Sequence, residues 1–183
     1  NVRNALAVVA CAKHCDLSNK QIQSAFDTFK GIKRRMEVRG IAGGVTVIDD
    51  FGHHPTAIRE TLAALRLKYP AQKIWAIFEP RTNTTRRNIF QTELAESFFE
   101  ADAVILSQIA RLELLKPEER LDPKKLVEDI TSLGKPTAYL PDVGAIIDKL
   151  KKEVCGGDVV CVFSNGGFGG IHEKLLATLG GKR

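Results

Sequence analysis

Apolar positions change period along this chain, and the changes mark its elements. Residues 1–14 read as a helix, with Val2, Leu6, Val9 and Ala10 among small residues on several sides. Helices apolar all round are usually buried between other elements. Ser18 and Gln21 stand at capping-box spacing and open a second helix, with Ile22, Ala25, Phe26 and Phe29 on one face and Lys30-Gly31 as its stop. From Met36 to Asp50 the pattern favours strands: Val38, Ile41, Val45, Val47 and Ile48 flank Ala42-Gly43-Gly44, which predicts a hairpin. Pro55 suits a first helical turn, and Ile58, Leu62, Leu65 and Tyr69 follow at helical spacing.

Beyond that helix the pattern alternates. Apolar strands are predicted at 74–78, 103–106, 137–140 and 159–163. Helices are predicted at 88–100, 123–133, 143–154 and 171–179. Near-continuous apolar strands separated by helices imply a parallel sheet covered on both faces. The expected fold is therefore α/β: a Rossmann-like, mostly parallel sheet with flanking helices, entered by a short β-hairpin and preceded by two helices. Ligands of such sheets gather at the carboxyl ends of strands, and three polar segments follow predicted strands: Asp49 to Pro55, Glu79 to Thr84 and Ser164 to Gly170.

Composition narrows the function classes. The chain has 183 residues, 44% hydrophobic and 27% charged, enough for one domain and an appended piece. No run approaches the roughly 20 apolar residues of a membrane span, and the amino-terminal residues lack a signal-peptide layout. There is no initiator Met, so a piece of a longer protein is expected. The net charge of +5 suits anionic ligands, but the basic residues form short clusters (Lys33 to Arg35, Arg86-Arg87, Lys151-Lys152) of the kind usually solvated. Low aromatic content and the lack of a recognised motif speak against nucleic acid. Cys11, His14 and Cys15 could meet on one helical face as metal ligands. The plainer expectation is that the four cysteines are reduced thiols used as small core residues.

Each polar segment has two readings. Asp50 can accept hydrogen bonds from ribose hydroxyls and His53 or His54 can meet a purine; equally, His54 or Asp50 can cap the helix opening at Pro55. Arg35 can reach a phosphate or ribose with its planar fork, or pair with Glu37 at the surface. Arg81, Thr82, Asn83 and Thr84 suit a carboxylate-bearing substrate, or form a loop that caps the next helix. The glycines of Ser164 to Gly170 can bring backbone N–H groups to an anion, or permit close packing. That loop matches neither a Walker A motif nor the dinucleotide fingerprint.

Taken together, these segments resemble one family. Asn1 to Ala7 is similar to the end of the central ATPase domain of the Mur ligases, the ATP-dependent ligases of the bacterial cell wall. Arg34-Arg35-Met36-Glu37 resembles the start of their third domain, and Asp49-Asp50-Phe51-Gly52-His53-His54-Pro55-Thr56 resembles their Asp-Asp-(Tyr or Phe)-Ala-His-His-Pro-Thr signature. Gly52 departs from the usual alanine. Glu79 to Thr84 and Ser164 to His172 resemble the branch that adds a tripeptide rather than the branch that adds L-alanine, with Thr82 in place of the usual serine.

The resemblance implies that residues 1–30 end the central ATP-binding domain and 31–183 form the family's C-terminal domain. It implies a cytoplasmic ligase that uses ATP and Mg²⁺ to join L-Ala-γ-D-Glu-meso-diaminopimelate to UDP-N-acetylmuramic acid. The P-loop, the magnesium ligands and the UDP-sugar site would lie in upstream domains of the same chain, leaving no catalytic residue here. Carried over by motif, Asn1, Asn4, Arg35, Asp50 and His53 are expected at ATP, and Arg81, Thr82, Asn83, Ser164 and Phe168 at the peptide. The alternatives are the L-alanine-adding ligase, and a non-catalytic module that binds nucleotide or peptide.

Overall fold

A computed structural model describes residues 2–181, which divide into two units, one up to Ile32 and one from Lys33. The first contains α1 (Val2–His14) and α2 (Asn19–Thr28). Ser18 caps α2 in a full capping box: its hydroxyl accepts the Gln21 N–H and the Gln21 side chain accepts the Ser18 N–H. The expected burial of α1 is not found. Val2, Leu6 and Val8 are exposed, because a helix apolar on several sides needs partners on several sides.

The second unit is built on a six-stranded sheet in the order β1-β2-β6-β3-β4-β5. Its strands are β1 (Glu37–Ala42), β2 (Val45–Asp50), β3 (Ile74–Phe78), β4 (Ala103–Ser107), β5 (Thr137–Leu140) and β6 (Val159–Phe163). β1 runs antiparallel to β2, and every other pairing is parallel. Gly43 and Gly44, at φ +57° and +77°, make the tight turn whose twist suits a two-residue hairpin.

Strand alternation sends side chains to two cores. Ile48, Ala76, Phe78, Leu106, Cys161 and Phe163 face α3 (Pro55–Lys68), α4 (Gln91–Ser97) and α5 (Pro123–Ser132). Val47, Trp75, Ile77, Ile105, Val160 and Val162 face α6 (Val143–Glu153) and α7 (Ile171–Gly180). This is the α/β architecture expected from the alternating pattern, and its parallel registers are level. Asp50 lies beside Phe163, and Phe163 beside Phe78. The loops leaving β2, β6 and β3 therefore start side by side.

Three expectations need correction. The helix expected at 88–100 is a 3₁₀ turn at Asn88–Phe90 followed by α4 only to Ser97. Asn88 and Gln91 are tied to the carbonyls of Glu118 and Asp122, and the chain breaks helix at Phe98 to seat that ring fully in the core against Phe78. Only Cys161 among the described cysteines is a core residue; Cys11, Cys15 and Cys155 are exposed. Nor are the basic clusters simply solvated: Arg87 pairs with Glu119, and Arg34 and Arg86 are built into loops.

Candidate functional site

The paired aspartates at the end of β2 point to opposite faces, as successive strand residues must. Asp50 is 2% exposed. Its carboxylate accepts the backbone N–H groups of Met36 at 2.8 Å and Gly52 at 2.7 Å, so it organises the loop it begins. The helix cap is His54, whose Nδ1 accepts the Thr56 N–H at 3.3 Å while its ring packs edge-on against Phe90. His53 directs Nδ1 to the Phe51 carbonyl at 3.0 Å and its ring lies edge-on to Phe51. The Arg35 guanidinium stands 5.7 Å from the centre of the same Phe51 ring. Among the described residues Arg35 forms no ion pair with Glu37, whose carboxylate accepts the Arg34 N–H instead. Arg35, Asp50 and His53 thus share one loop system. Asn4 lies on α1 in the other unit, and Asn1 falls outside the described residues.

Asp49, on the opposite face and equally buried, collects three cations or near-cations. Arg34 Nε lies at 3.2 Å, Arg39 at 3.7 Å and His172 Nε2 at 3.5 Å. Burial lowers the His172 pKa from its ordinary value, against the opposing pull of Asp49. The ring is therefore held towards its neutral form, and its buried Nε2 makes no hydrogen bond. Arg34 also donates from Nη2 to the carbonyls of Ser164 at 2.5 Å and Gly166 at 3.0 Å. It clamps the glycine loop after β6 to the end of β2. Arg34 and Met36 hold positive φ, +57° and +50°, a cost that persists only where surrounding contacts overdetermine the backbone. Sequence reasoning singled out Arg35 and missed Arg34, Asp49 and His172; the one available signal was that two adjacent strand-end carboxylates need partners on both faces.

The third cluster joins the loops after β6 and β3. Ser164 is fully buried and its hydroxyl donates to Glu79 at 2.5 Å. The other Glu79 oxygen lies 3.8 Å from Arg81. Arg81 runs across Gly166 so closely that a Cβ there would fall 2.3 Å from its Nη1, so any larger residue would have to displace the Arg81 side chain. Thr82 does not cap the next helix. Its N–H and hydroxyl close on the Thr85 hydroxyl at 3.0 and 2.9 Å, and Asn83 accepts from the Arg86 guanidinium. Phe168 is 5% exposed and packs into the α6–α7 core, leaving only its main chain near the loop surface. Beyond these residues opens a cavity of about 290 Å³ lined by Glu79, Pro80, Arg81, Arg86, Gln108, Ala110 and Arg111. Its β4-side residues carried no sequence motif.

A site with an aromatic-and-arginine loop at one end and an arginine-rich cavity at the other suits a ligand pair, one planar and one bearing carboxylates. Among the described residues, no three His, Cys, Asp or Glu side chains gather to hold a metal ion, and no helix is long and apolar enough to cross a membrane.

Comparison with known proteins places the chain in a family. Residues 34–166 match the family described as "Mur ligase, glutamate ligase domain". The chain is 41% identical over its whole length to the UDP-N-acetylmuramate–L-alanyl-γ-D-glutamyl-meso-2,6-diaminoheptandioate ligase of Escherichia coli K12. It is 36% identical over 98% of its length to the UDP-N-acetylmuramate–L-alanine ligase of Geobacter sulfurreducens. It spans 38% of the length of each of those relatives. Its fold matches the crystal structure of a murein peptide ligase from Psychrobacter arcticus with a TM-score of 0.76 and 36% identity, covering all of this chain and 37% of that one. The chain belongs to the Mur ligase family and carries that family's C-terminal glutamate ligase domain.

Proposed function

We propose that the full-length protein is an ATP-dependent, ADP-forming amide ligase that joins L-Ala-γ-D-Glu-meso-diaminopimelate to UDP-N-acetylmuramic acid in peptidoglycan recycling. The observation that carries this reading is the 41% identity, over the entire chain, to the Escherichia coli ligase named for those two substrates. In the reaction, ATP phosphorylates the carboxylate of UDP-N-acetylmuramic acid. The peptide amine attacks the resulting acyl phosphate, and an amide, ADP and phosphate leave. Mg²⁺, held with the phosphates by upstream domains, would neutralise developing charge.

This domain's part is positioning, the larger share of catalysis in such a transfer. Arg35, Asp50 and His53 form the ATP side of this unit, with the Phe51 loop as the shelf on which Arg35 and His53 are set; Asn4, on the other unit, and Asn1, outside the described residues, are assigned to the nucleotide from the sequence motif alone. The Asp50 carboxylate already takes two backbone N–H groups, so a ribose hydroxyl would use its remaining lone pairs. Arg81, Thr82, Asn83 and Ser164 form the peptide side, and Phe168 would contribute through its main chain. The proposed ATP and nucleotide-sugar substrates support a cytoplasmic enzyme.

The L-alanine-adding activity is the second reading, favoured by the 36% identity to the Geobacter sulfurreducens enzyme. Against it stands the cavity with Arg81 and Arg111 on its wall, more cationic surface than the single carboxylate of L-alanine needs. ADP release by the full-length protein, with UDP-N-acetylmuramic acid and either amine, separates the two. Strong turnover with tripeptide and little with L-alanine supports the proposal; the reverse assigns the biosynthetic step. The isolated chain should hydrolyse no ATP, and measurable hydrolysis would refute the division of labour.

A further inference from the structure

The cavity at the ends of β3 and β4 is equipped for more than one carboxylate, and its charged side chains are not equally engaged. Arg86 is committed to the protein. Its Nη1 donates to the carbonyls of Ala110 and Arg111 at 3.4 and 3.1 Å, its Nη2 to Asn83, and its buried Nε has no partner. It thereby ties the loop after β3 to the loop after β4. Glu79 is half committed: one oxygen accepts the Ser164 hydroxyl, while the other faces Arg81 at 3.8 Å. Arg111 has no side-chain hydrogen bond or ion pair among the described residues, yet its backbone is held at φ +57°. A strained non-glycine residue presenting an unengaged guanidinium to a cavity is a binding feature in search of an anion.

Resting on the tripeptide reading above, we propose that this cavity receives the zwitterionic head at the far end of the peptide, with Arg111 on its carboxylate, Glu79 on its ammonium and Arg81 on the nearer carboxylate. The charge pattern is complementary. Once one amine of 2,6-diaminoheptanedioate is acylated, two carboxylates and one ammonium remain, and the cavity offers the unengaged Arg111 guanidinium together with the Arg81 guanidinium and the Glu79 carboxylate, which face each other at 3.8 Å. Glu79 is well shielded, with 17% of its side chain exposed, where an ammonium contact is worth more than in open water. Arg111 supplies the planar fork that matches a carboxylate through two parallel bonds. Arg86 acts as a positioning residue, since it fixes the carbonyls of Ala110 and Arg111 and so the direction in which Arg111 projects.

The test uses the full-length enzyme and two peptides, L-Ala-γ-D-Glu-meso-diaminopimelate and L-Ala-γ-D-Glu-L-Lys, which differ by the distal carboxylate alone. The readout is the ratio of their kcat/KM values, which cancels any general loss of active enzyme. The wild type should favour the diaminopimelate peptide. Arg111→Ala should cut that preference about tenfold, the worth of one charge-assisted contact, and Arg111→Lys should cut it less. A preference unchanged in both variants overturns the assignment of Arg111 while leaving the tripeptide reading intact. Turnover with L-alanine and with neither peptide overturns the tripeptide reading and this assignment together.

Discussion

Removing the Arg34 side chain should detach the glycine loop from the sheet, and the size of the effect follows from the contacts. Arg34 bonds Asp49 and two loop carbonyls. Breaking a buried pair by deleting one partner costs roughly 3–5 kcal/mol, because the other charge stays buried. Two features reduce that here. The Arg34 side chain is 29% exposed and Asp49 keeps Arg39 at 3.7 Å. Arg34→Ala should therefore cost about 2 kcal/mol, a fall in melting temperature of about 4–8 °C for a domain of this size. Calorimetry of Arg34→Ala, Asp49→Asn and the double variant checks the cause as well as the size. If Asp49 is the reason Arg34 matters, the double variant loses less than the sum of the singles by about 1–2 kcal/mol. Additivity to within about 0.5 kcal/mol would refute the proposed clamp.

Three further predictions concern the same surface. Arg81→Ala in the full-length enzyme should raise the KM for tripeptide about tenfold with little change in the KM for ATP, and an unaltered tripeptide dependence would remove Arg81 from the peptide side. Asp50→Asn turns one of two oxygens that each accept a backbone N–H into a donor, so it should lower stability by about 1–3 kcal/mol as well as weaken ATP use; unchanged ATP kinetics in the folded variant would contradict the ATP-side assignment of this loop. His172 has a lowered pKa in the folded protein, so its contribution is fully present above its ordinary pKa and lost as pH falls through the folded value. Stability measured by denaturant titration should drop as pH falls below about 6.5, less steeply in His172→Gln; equal slopes would show that another group carries the dependence.

What was legible in the chain, and what was not, divides along physical lines. β3, β4 and β6 were readable because a strand buried on both faces must be apolar at every position, and Ile74 to Phe78, Ala103 to Leu106 and Val159 to Phe163 are. The convergence of the three polar loops follows from the parallel arrangement of those strands. The apolar character of α1 was read equally well, but burial is a property of partners as well as of the helix, so exposed Val2, Leu6 and Val8 could not be foreseen. The end of α4 was misjudged for a related reason: Phe98 leaves the helix to meet Phe78, a residue 20 positions away. The site shows the same limit at finer scale. Arg34 and Arg35 are chemically identical neighbours whose guanidiniums both lie over Phe51, but only Arg34, held in left-handed backbone, also reaches Asp49. Asp49 and Asp50 differ only by the alternation of a strand, yet one anchors the α7 side and the other the opposite loop. Arg86 and Arg111 stand outside every motif and meet because Arg86 bonds the carbonyl of Arg111 across 25 positions of chain. Motifs mark residues that act through local backbone, such as the His54 cap or the Thr82–Thr85 turn. Residues whose role depends on two loops arriving together leave no such mark, and these are the ones that give the cavity its charge.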